Sequence, residues 1–233
     1  MAREMKQIAT VYTDFPTKFG VPRQSGLIEE LKGKIIFEPK YRQPEAFKGL
    51  EEYSHIWVLW EFSLAERADW SATVKPPRLG GKTHMGVFAT RSPFRPNPIG
   101  LSCVKLNGIE FTEKYGPILH ISGIDMVDKT PVYDIKPYLP YADAYPQAQG
   151  GFGETVKDYE LEVEFGGEFL ERIPEEKRQG AIKFLQQDPR PSHQNQPERV
   201  YKIAYAGWDI HFTVREGRLT VVDVKDITGL FSV

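Results

Sequence analysis

The sequence is poor in cysteine and histidine. Cys103 is its one cysteine in 233 residues, and the five histidines form neither a His-x-x-x-His nor a His-Glu-x-x-His pair. A single cysteine cannot form an internal disulfide or a thiolate cluster, which excludes a disulfide scaffold, a zinc finger and an iron–sulfur protein. We therefore expect no metal site and a reducing compartment.

Long apolar runs are also absent. The longest mostly apolar stretch, residues 56–64, contains Glu61 and is far shorter than the roughly 20 residues that cross a bilayer. The N-terminal segment MAREMKQIAT lacks the apolar core of a secretory signal. We expect a cytoplasmic protein with no membrane association.

Several loops that mark well-known enzyme classes are missing. The chain has no GxxxxGKS or GxxxxGKT phosphate loop, no GxGxxG loop after a strand, and no GxSxG nucleophile elbow. These absences argue against a P-loop nucleotide hydrolase, a Rossmann dinucleotide-binding enzyme and an acyl-enzyme hydrolase.

Acidic residues are missing from one long segment, although the whole chain has a net charge of −2. Residues 70–109 contain no Asp or Glu. The basic residues of this segment are Lys75, Arg78, Lys82, Arg91, Arg95 and Lys105. Segregated positive charge favours a face that binds a polyanion. The alternative is a solvated loop region whose acidic partners come from other segments.

Short apolar and β-branched runs, separated by Gly, Pro or Asn, fill the first part of the chain. They lie at residues 7–15, 32–39, 55–62, 86–90, 101–111 and 117–127. No long crossover helix separates them, so an open doubly wound sheet is excluded. We expect a mainly β fold, with a closed or nearly closed barrel over residues 1–143.

The later part of the chain has a different pattern. Residues 144–157 are rich in Gln, Gly and Ala without an apolar period, which predicts a linker. Beyond them we expect a strand at 158–165, a helix at 168–187, and a three-stranded antiparallel meander with turns at Ala206-Gly207 and Glu216-Gly217. This order predicts a small α+β domain over residues 158–233.

Two proline-rich segments carry arginines. RSPFRPNPIGLS at residues 91–102 holds Arg91 and Arg95 on a stiff path, and KPPRLGG at residues 75–81 does the same for Arg78. Rigidly held guanidinium groups suit the recognition of anions or planar ligands. The alternative is a turn between two strands in which the arginines cap carbonyl groups.

A third segment, residues 125–141, mixes acidic, basic and aromatic side chains with three prolines. Its sequence is DMVDKTPVYDIKPYLPY. Such a mixture could order the amino and hydroxyl groups of a ligand, and an Asp or Tyr could accept a proton. The alternative is that the acids bond backbone donors in turns.

Five blocks occur in a fixed order. They are PRQSG at residues 22–26, GLEEYSHIWVLW at 49–60, PPRLGG at 76–81, GVFATRSPFRPNPIGLS at 86–102 and DMVDKTPVYDIKPYLPYAD at 125–143. Together they resemble the TsaA-like family of TrmO type. DPRP at residues 188–191, followed by the terminal meander, resembles the C-terminal domain of the bacterial TrmO subgroup. The resemblance covers nearly the whole chain.

This resemblance implies an S-adenosylmethionine-dependent tRNA methyltransferase. Its implied substrate is N6-threonylcarbamoyladenosine immediately 3′ of the anticodon, at position 37, and its product carries a methyl group on N6. The implied fold is a β-barrel, usually in a homodimer with the cofactor near the subunit interface. No metal is needed for the transfer.

The resemblance also implies a set of cofactor-binding residues. They are Pro22, Arg23, Gln24, Arg91, Leu101, Asp128, Thr130 and Pro131. Many relatives have a His-Gln pair after the strand that begins with Ser-His-Ile-Trp at residues 54–57 here. This chain has Ser63 and Leu64 at those positions. Side-chain contacts to the cofactor at these two positions are therefore not carried over.

The chemistry needs only a weak base, because the N6 proton of a urea-like threonylcarbamoyl adenine is lost more easily than that of a plain adenine amine. The candidate bases are Asp128, Asp134 and Tyr138. The candidates for holding phosphate or the threonyl carboxylate are Arg78, Arg95 and Lys136.

Two other functions stay open. A methyltransferase of the same barrel could act on a small molecule, which would need neither the acid-free segment nor the C-terminal domain. A noncatalytic module could bind RNA or sense the cofactor. Turnover of labelled cofactor with total tRNA separates the three.

Overall fold

The computed structural model describes residues 4–65, 70–76, 83–156, 158–190, 196 and 198–230. Twelve strands lie in these ranges: β1 Ala9–Thr13, β2 Lys32–Phe37, β3 His55–Glu61, β4 Thr73–Val74, β5 Met85–Gly86, β6 Ile99–Thr112, β7 Gly116–Ser122, β8 Thr130–Pro137, β9 Glu162–Glu164, β10 Tyr201–Tyr205, β11 Trp208–Arg215 and β12 Arg218–Asp226. The α-helices there are α1 Pro140–Asp143, α2 Gly167–Leu170 and α3 Glu175–Gln186. None of these helices is both long and apolar enough to span a membrane.

Six of the strands close into a barrel in the order β1-β2-β7-β6-β3-β8. The strands form because apolar residues alternate along them: in β3, Ile56, Val58 and Trp60 are buried while the residues between them are partly exposed. All the barrel pairings are antiparallel. The expected mainly β fold with a closed barrel is confirmed.

Strand β8 closes the barrel between β1 and β3, and it was not expected from the sequence. Its second residue is Pro131 and its last is Pro137. Proline removes a backbone donor, but it is tolerated near strand ends. The expected strand at residues 86–90 is wrong, because β5 ends at Gly86 and a 3₁₀ turn follows over Val87–Ala89.

A second sheet, in the order β10-β11-β12-β9, forms the C-terminal part. The expected meander is confirmed, and β9 adds to β12 in parallel. The expected helix over residues 168–187 is divided into α2 and α3 by Pro174, which has no N–H to continue a helix from Leu170. The strand expected over 158–165 is shorter, at Glu162–Glu164.

Both expected hairpin turns have a left-handed backbone at their two central residues. Ala206 and Gly207 have φ angles of 51° and 83°, and Glu216 and Gly217 have 47° and 82°. This pair of positive angles matches the right-handed twist of the flanking strands. Ala206 adopts a conformation that is rare for a non-glycine residue.

The two parts of the chain share one apolar core. Phe15, in the loop after β1, packs edge-on against Phe184 of α3, with 5.6 Å between ring centroids. It also packs against the tilted ring of Tyr205 in β10, with 5.2 Å between centroids. Beside this contact Lys177 donates to the Asp14 carboxylate at 2.5 Å. The C-terminal sheet and α3 are thus fixed against the loop that follows β1.

Candidate functional site

The candidate site lies at one end of the barrel. The strand registers place the end of β1, the start of β2, the end of β7 and the start of β8 at the same end. The segment before β6 reaches this end as well, because Ile99 pairs with Glu61 at the end of β3. The loops at residues 22–26, 87–98 and 123–129 are therefore neighbours.

The first and third of these loops touch through two glycines. Gly26 donates its N–H to the carbonyl oxygen of Gly123 at 2.8 Å. A Cβ atom on Gly123 would lie 3.1 Å from the Cα atom of Gly26, and both residues have positive φ. Glycine at position 123 allows this approach without moving backbone, and at both positions glycine adopts the left-handed conformation without strain. It brings the PRQSG segment against the segment that begins at Asp125.

Gln24 and Arg91, both expected to bind the cofactor, meet directly. The Arg91 guanidinium donates to Oε1 of Gln24 at 2.5 Å. Ser25, next to Gln24, accepts a hydrogen bond from the backbone N–H of Cys103 at 3.1 Å. The loop at residues 22–26 is thus held to both the arginine segment and strand β6.

Asp125 is a site residue that was not among those expected from the sequence. Ser102 donates its hydroxyl to Oδ1 of Asp125 at 2.6 Å, and Trp60 donates its indole N–H to Ser102 at 2.8 Å. Burial raises the pKa of Asp125 to about 6, although Ser102, the Ser25 backbone and the charge of Arg91 favour the ionised form. Its position three residues after the mostly buried strand β7 was the local signal that could have pointed to it.

Gly100 makes room for the indole that supports Ser102. A Cβ atom at this position would lie 2.2 Å from Cε2 of Trp60. The ring of Trp60 therefore lies against the backbone of β6, inside the barrel, where it is 5% exposed. This contact fixes the position of the indole ring, and so of the indole N–H that donates to Ser102.

Asp128 and Thr130 bond to backbone groups in the loop before β8. Asp128 accepts a hydrogen bond from the N–H of Thr13 at 2.9 Å, and Thr130, which is buried, donates to the carbonyl oxygen of Val127 at 2.7 Å. Lys129 between them has a φ of 63°. Both side chains shape this turn, and Pro131 follows as the second residue of β8.

Four other expected site residues share the outer face of the barrel wall. Leu59 pairs with both Leu101 and Asp134, which puts these three in one row across β6, β3 and β8. Lys136 forms an ion pair with Asp134 at 2.9 Å. Tyr138 packs its ring against Trp57, with 5.8 Å between centroids. Leu101 is 53% exposed, so this face presents an apolar patch beside charged groups.

The remaining expected residues within the described ranges have partners outside the cluster of Gln24, Arg91 and Asp125. Arg23 donates to the backbone oxygen of Asp188 at 3.2 Å, and with Pro22 it lines a cavity of about 210 Å³ against residues 184–190. Arg95 donates to the carbonyl oxygens of Thr90 at 3.1 Å and Ser92 at 3.4 Å, as in the alternative in which arginines cap carbonyls. Arg78 lies outside the described residues.

The basic residues of the acid-free segment differ in their partners. Lys105 pairs with Glu29 from another segment, as the alternative for a solvated loop region requires. Arg91 instead contacts Gln24. Within the described ranges, no three His, Cys, Asp or Glu side chains are grouped in a way that could hold a metal ion.

Comparison with known proteins gives a consistent match along the chain. The model of the tRNA-methyltransferase O N-terminal domain matches residues 10–144, and that of the TrmO C-terminal domain matches residues 158–227. A tRNA (adenine(37)-N6)-methyltransferase of Escherichia coli is 40% identical over 218 residues, covering 91% of this chain and 92% of the relative. One of Eikenella corrodens is 46% identical over 178 residues, covering 76% and 99%.

Solved structures agree with these matches. A crystal structure of TrmO from Pseudomonas aeruginosa superimposes with a TM-score of 0.78 at 35% identity, and the alignment covers 97% of this chain and 98% of that chain. Both domains are therefore matched in sequence and in fold. The chain belongs to the tRNA-methyltransferase O family.

Proposed function

We propose that the protein transfers a methyl group from S-adenosylmethionine to N6 of adenosine 37 in tRNA. The observation that carries this proposal is the similarity, over 91% and 76% of this chain, to two relatives named for that reaction. It is joined to a barrel end where Gln24, Arg91 and Asp125 converge. We further propose that the substrate is N6-threonylcarbamoyladenosine and the product its N6-methyl derivative.

The residues at the barrel end fit this cofactor. The Arg91 guanidinium and the Gln24 amide offer donors for a carboxylate or hydroxyl group. Leu101, on the adjoining outer face, offers an exposed apolar surface. Pro22, Arg23, Asp128, Thr130 and Pro131 complete the proposed binding set. When bound, S-adenosylmethionine supplies a methyl group that its sulfonium already activates.

The protein's own groups must orient the acceptor nitrogen, exclude water and take up a proton. Asp128 lies at the barrel end, whereas Asp134 and Tyr138 lie on the adjoining outer face. Each remains a proposed base for the N6 proton. The urea-like N6 of the modified adenine makes a weak base sufficient.

Charged side chains around the site are proposed to hold the tRNA. Lys136 is 63% exposed on the outer face, which leaves its ammonium group accessible to a phosphate. Arg95 and Arg78 are the other proposed contacts from the acid-free segment. Affinity for tRNA should therefore fall steeply with added salt.

The proposed homodimer would cover apolar side chains that lie exposed near the site. Phe88 is 73%, Leu101 53% and Leu64 50% exposed. Exposed apolar groups of this size mark an interaction surface when they are contiguous. Sedimentation of the purified protein tests the dimer, and replacement of Leu101 by Lys should shift the population towards monomer.

The proposed division of the chain keeps the expected boundaries. Residues 1–143 would bind the cofactor and carry the reaction, residues 144–157 would link, and residues 158–233 would support the loop that holds Arg23. A tRNA substrate accords with the cytoplasmic location expected from the sequence.

The proposal is tested by incubating the protein with labelled S-adenosylmethionine and total tRNA, followed by nucleoside mass spectrometry. We expect label in an N6-methylated adenosine that maps to position 37. Label in a small molecule alone would favour the small-molecule methyltransferase, and binding of both ligands without transfer would favour the noncatalytic module.

Cofactor binding is expected to need no metal. Calorimetry in the presence of a chelator should give the same heat of binding as calorimetry without it. Loss of binding in chelator that returns on addition of a divalent metal ion would contradict this part of the proposal.

A further inference from the structure

Asp125 lies where four separate segments of the barrel end meet. Its carboxyl accepts the Ser102 hydroxyl from β6, and through Ser102 it is connected to Trp60 of β3. The backbone N–H of Ser25 faces it from the loop at residues 22–26, and Arg91 faces it from the segment before β6. Of these four groups, Arg91 is charged, whereas the Ser102 hydroxyl, the Trp60 indole and the Ser25 N–H are neutral.

The direction of this chain of hydrogen bonds is fixed by chemistry. An indole N–H can only donate, so Ser102 must accept from Trp60 and use its own hydrogen toward Asp125. Ser25 also presents a donor. Asp125 therefore faces donors from both neighbours, an arrangement that an unprotonated carboxylate satisfies best.

We propose that Asp125 is a positioning residue, whose carboxylate anchors the loop at residues 22–26 so that Gln24 and Arg91 are held ready for the cofactor. The identity of that cofactor rests on the proposed function. Ser25 is adjacent to Gln24, and the side chain of Gln24 accepts a hydrogen bond from Arg91. A proton on Asp125 weakens its bond to the Ser25 N–H, and this loosens Gln24 and Arg91 together. The raised pKa, about 6, places this loosening within reach of mildly acidic solution.

The first test needs no ligand. The indole N–H resonance of Trp60 and the amide exchange rate of Ser25 are followed in the wild-type protein by NMR from about pH 5 to about pH 8. We expect the Trp60 resonance to titrate near pH 6 and the Ser25 amide to exchange faster, after correction for intrinsic rates, on the acid side. A flat Trp60 resonance with uniform Ser25 protection would overturn the proposal.

Two variants sharpen this test. Ser102→Ala should abolish the titration of Trp60 while leaving Ser25 pH-dependent. Asp143 provides the matched control, since it accepts an indole N–H from Trp57 and a backbone N–H from Leu139, both at 2.9 Å, but these bonds lower its pKa. Asp143→Asn should leave both readouts near pH 6 unchanged.

The second test measures affinity for S-adenosylmethionine by calorimetry against pH. In the wild type, affinity should fall by up to about tenfold per pH unit below the midpoint, as expected when binding requires one deprotonated group. Asp125→Asn should bind at least about tenfold more weakly at about pH 7.5 and lose this pH dependence. Wild-type affinity in Asp125→Asn would overturn the positioning role.

Failure of the proposed function gives a different result. A wild-type protein that binds no S-adenosylmethionine at any pH, yet shows the Trp60 titration and the Ser25 response, would contradict the cofactor assignment and leave the anchoring by Asp125 supported. The NMR readouts use the wild-type chain, so the proposal stays testable even where Asp125→Asn does not fold.

Discussion

Asp125 and Asp188 are two enclosed carboxylates with opposite electrostatic settings. Burial dominates at Asp125 and raises its pKa to about 6. Burial also acts at Asp188, but the hydrogen bonds and charge of Arg190, with a hydrogen bond from Tyr159, outweigh it and lower the pKa. Arg190 reaches both carboxylate oxygens, at 2.7 and 2.8 Å.

The difference lies in the partners. Asp188 has a guanidinium in direct contact, so its charge is compensated and its backbone oxygen is held where Arg23 donates to it. Asp125 has a hydroxyl and a backbone N–H, with Arg91 acting from farther away. The seam between the two parts of the chain is therefore a fixed structural contact, whereas the barrel end holds a carboxyl that responds to pH.

The largest effect is expected from breaking the pair at the seam. Arg190→Ala leaves the Asp188 carboxylate without its cation at a site where the two side chains are only 11% and 14% exposed. We expect a loss of about 3 kcal/mol in the free energy of unfolding, measured by denaturant titration.

Arg218→Ala is the control for that variant. Arg218 pairs with Glu162, but these side chains are 55% and 69% exposed, so the loss should stay below about 1 kcal/mol. Equal losses in the two variants would mean that enclosure of the Asp188 pair adds no stability.

The second effect concerns the pH dependence of stability at Asp125. Its pKa of about 6 in the folded protein lies above the ordinary value of about 3.9, so the folded state binds the proton more tightly. This group therefore lowers the free energy of unfolding as the pH rises from about 4 to about 7, by up to about 3 kcal/mol.

Asp188 contributes in the opposite sense. Because its pKa is lowered, the stability it adds is present above the ordinary value and is lost as the pH falls through the folded-state pKa. As the pH rises from about 4 to about 7, the wild type should therefore lose unfolding free energy relative to Asp125→Asn, which lacks this titrating group. A difference that does not vary with pH would contradict the assignment.

A third effect should follow from filling the space under Trp60. Gly100→Ala places a methyl group 2.2 Å from the indole, which must then move away from Ser102. We expect a loss of about 1–3 kcal/mol in unfolding free energy. Gly86→Ala is the matched control, since nothing lies within 4 Å of its Cβ position.

Gly180→Ala extends the comparison to the seam. A Cβ atom there would lie 2.6 Å from the hydroxyl oxygen of Tyr205. Gly180→Ala should lower the unfolding free energy without changing the pH titration of the Trp60 resonance. Gly100→Ala should change both the unfolding free energy and that titration.

The smallest effect on stability is expected on the outer face. Lys136→Ala removes an ion pair between side chains that are 63% and 44% exposed, so the unfolding free energy should change by less than about 1 kcal/mol. Affinity for tRNA should fall, and the slope of log affinity against log salt should decrease by about one. An unchanged salt slope would remove Lys136 from the proposed tRNA contacts.

The sequence predicted the elements whose patterns are local. Strand β3 and the C-terminal meander follow from alternating apolar residues, and the hairpin turns follow from their glycines. Strand β8 was missed because Pro131 and Pro137 argue against a strand when read alone, whereas the barrel accepts them near the strand ends.

The site could be predicted only in part for the same reason. Gln24 and Arg91 were expected from their motifs, and the structure brings them into contact. The position of Asp125 soon after strand β7 marks it only as a residue near a strand end. That its carboxyl is enclosed depends on Ser102, Ser25 and Arg91, which come from distant segments. Loop geometry likewise decides that Arg95 bonds carbonyl oxygens.

The central proposal is that the protein methylates threonylcarbamoyladenosine and not adenosine alone. A site that pairs the threonyl carboxylate with Arg or Lys leaves that cation unpaired when plain adenosine enters, which costs on the order of 2 to 5 kcal/mol. The most direct measurement compares methyl incorporation into tRNA from normal cells and from cells unable to install the threonylcarbamoyl group, followed by nucleoside mass spectrometry. We predict about 30-fold to several thousand-fold faster methylation of the former, and equal rates on both preparations would contradict the proposal.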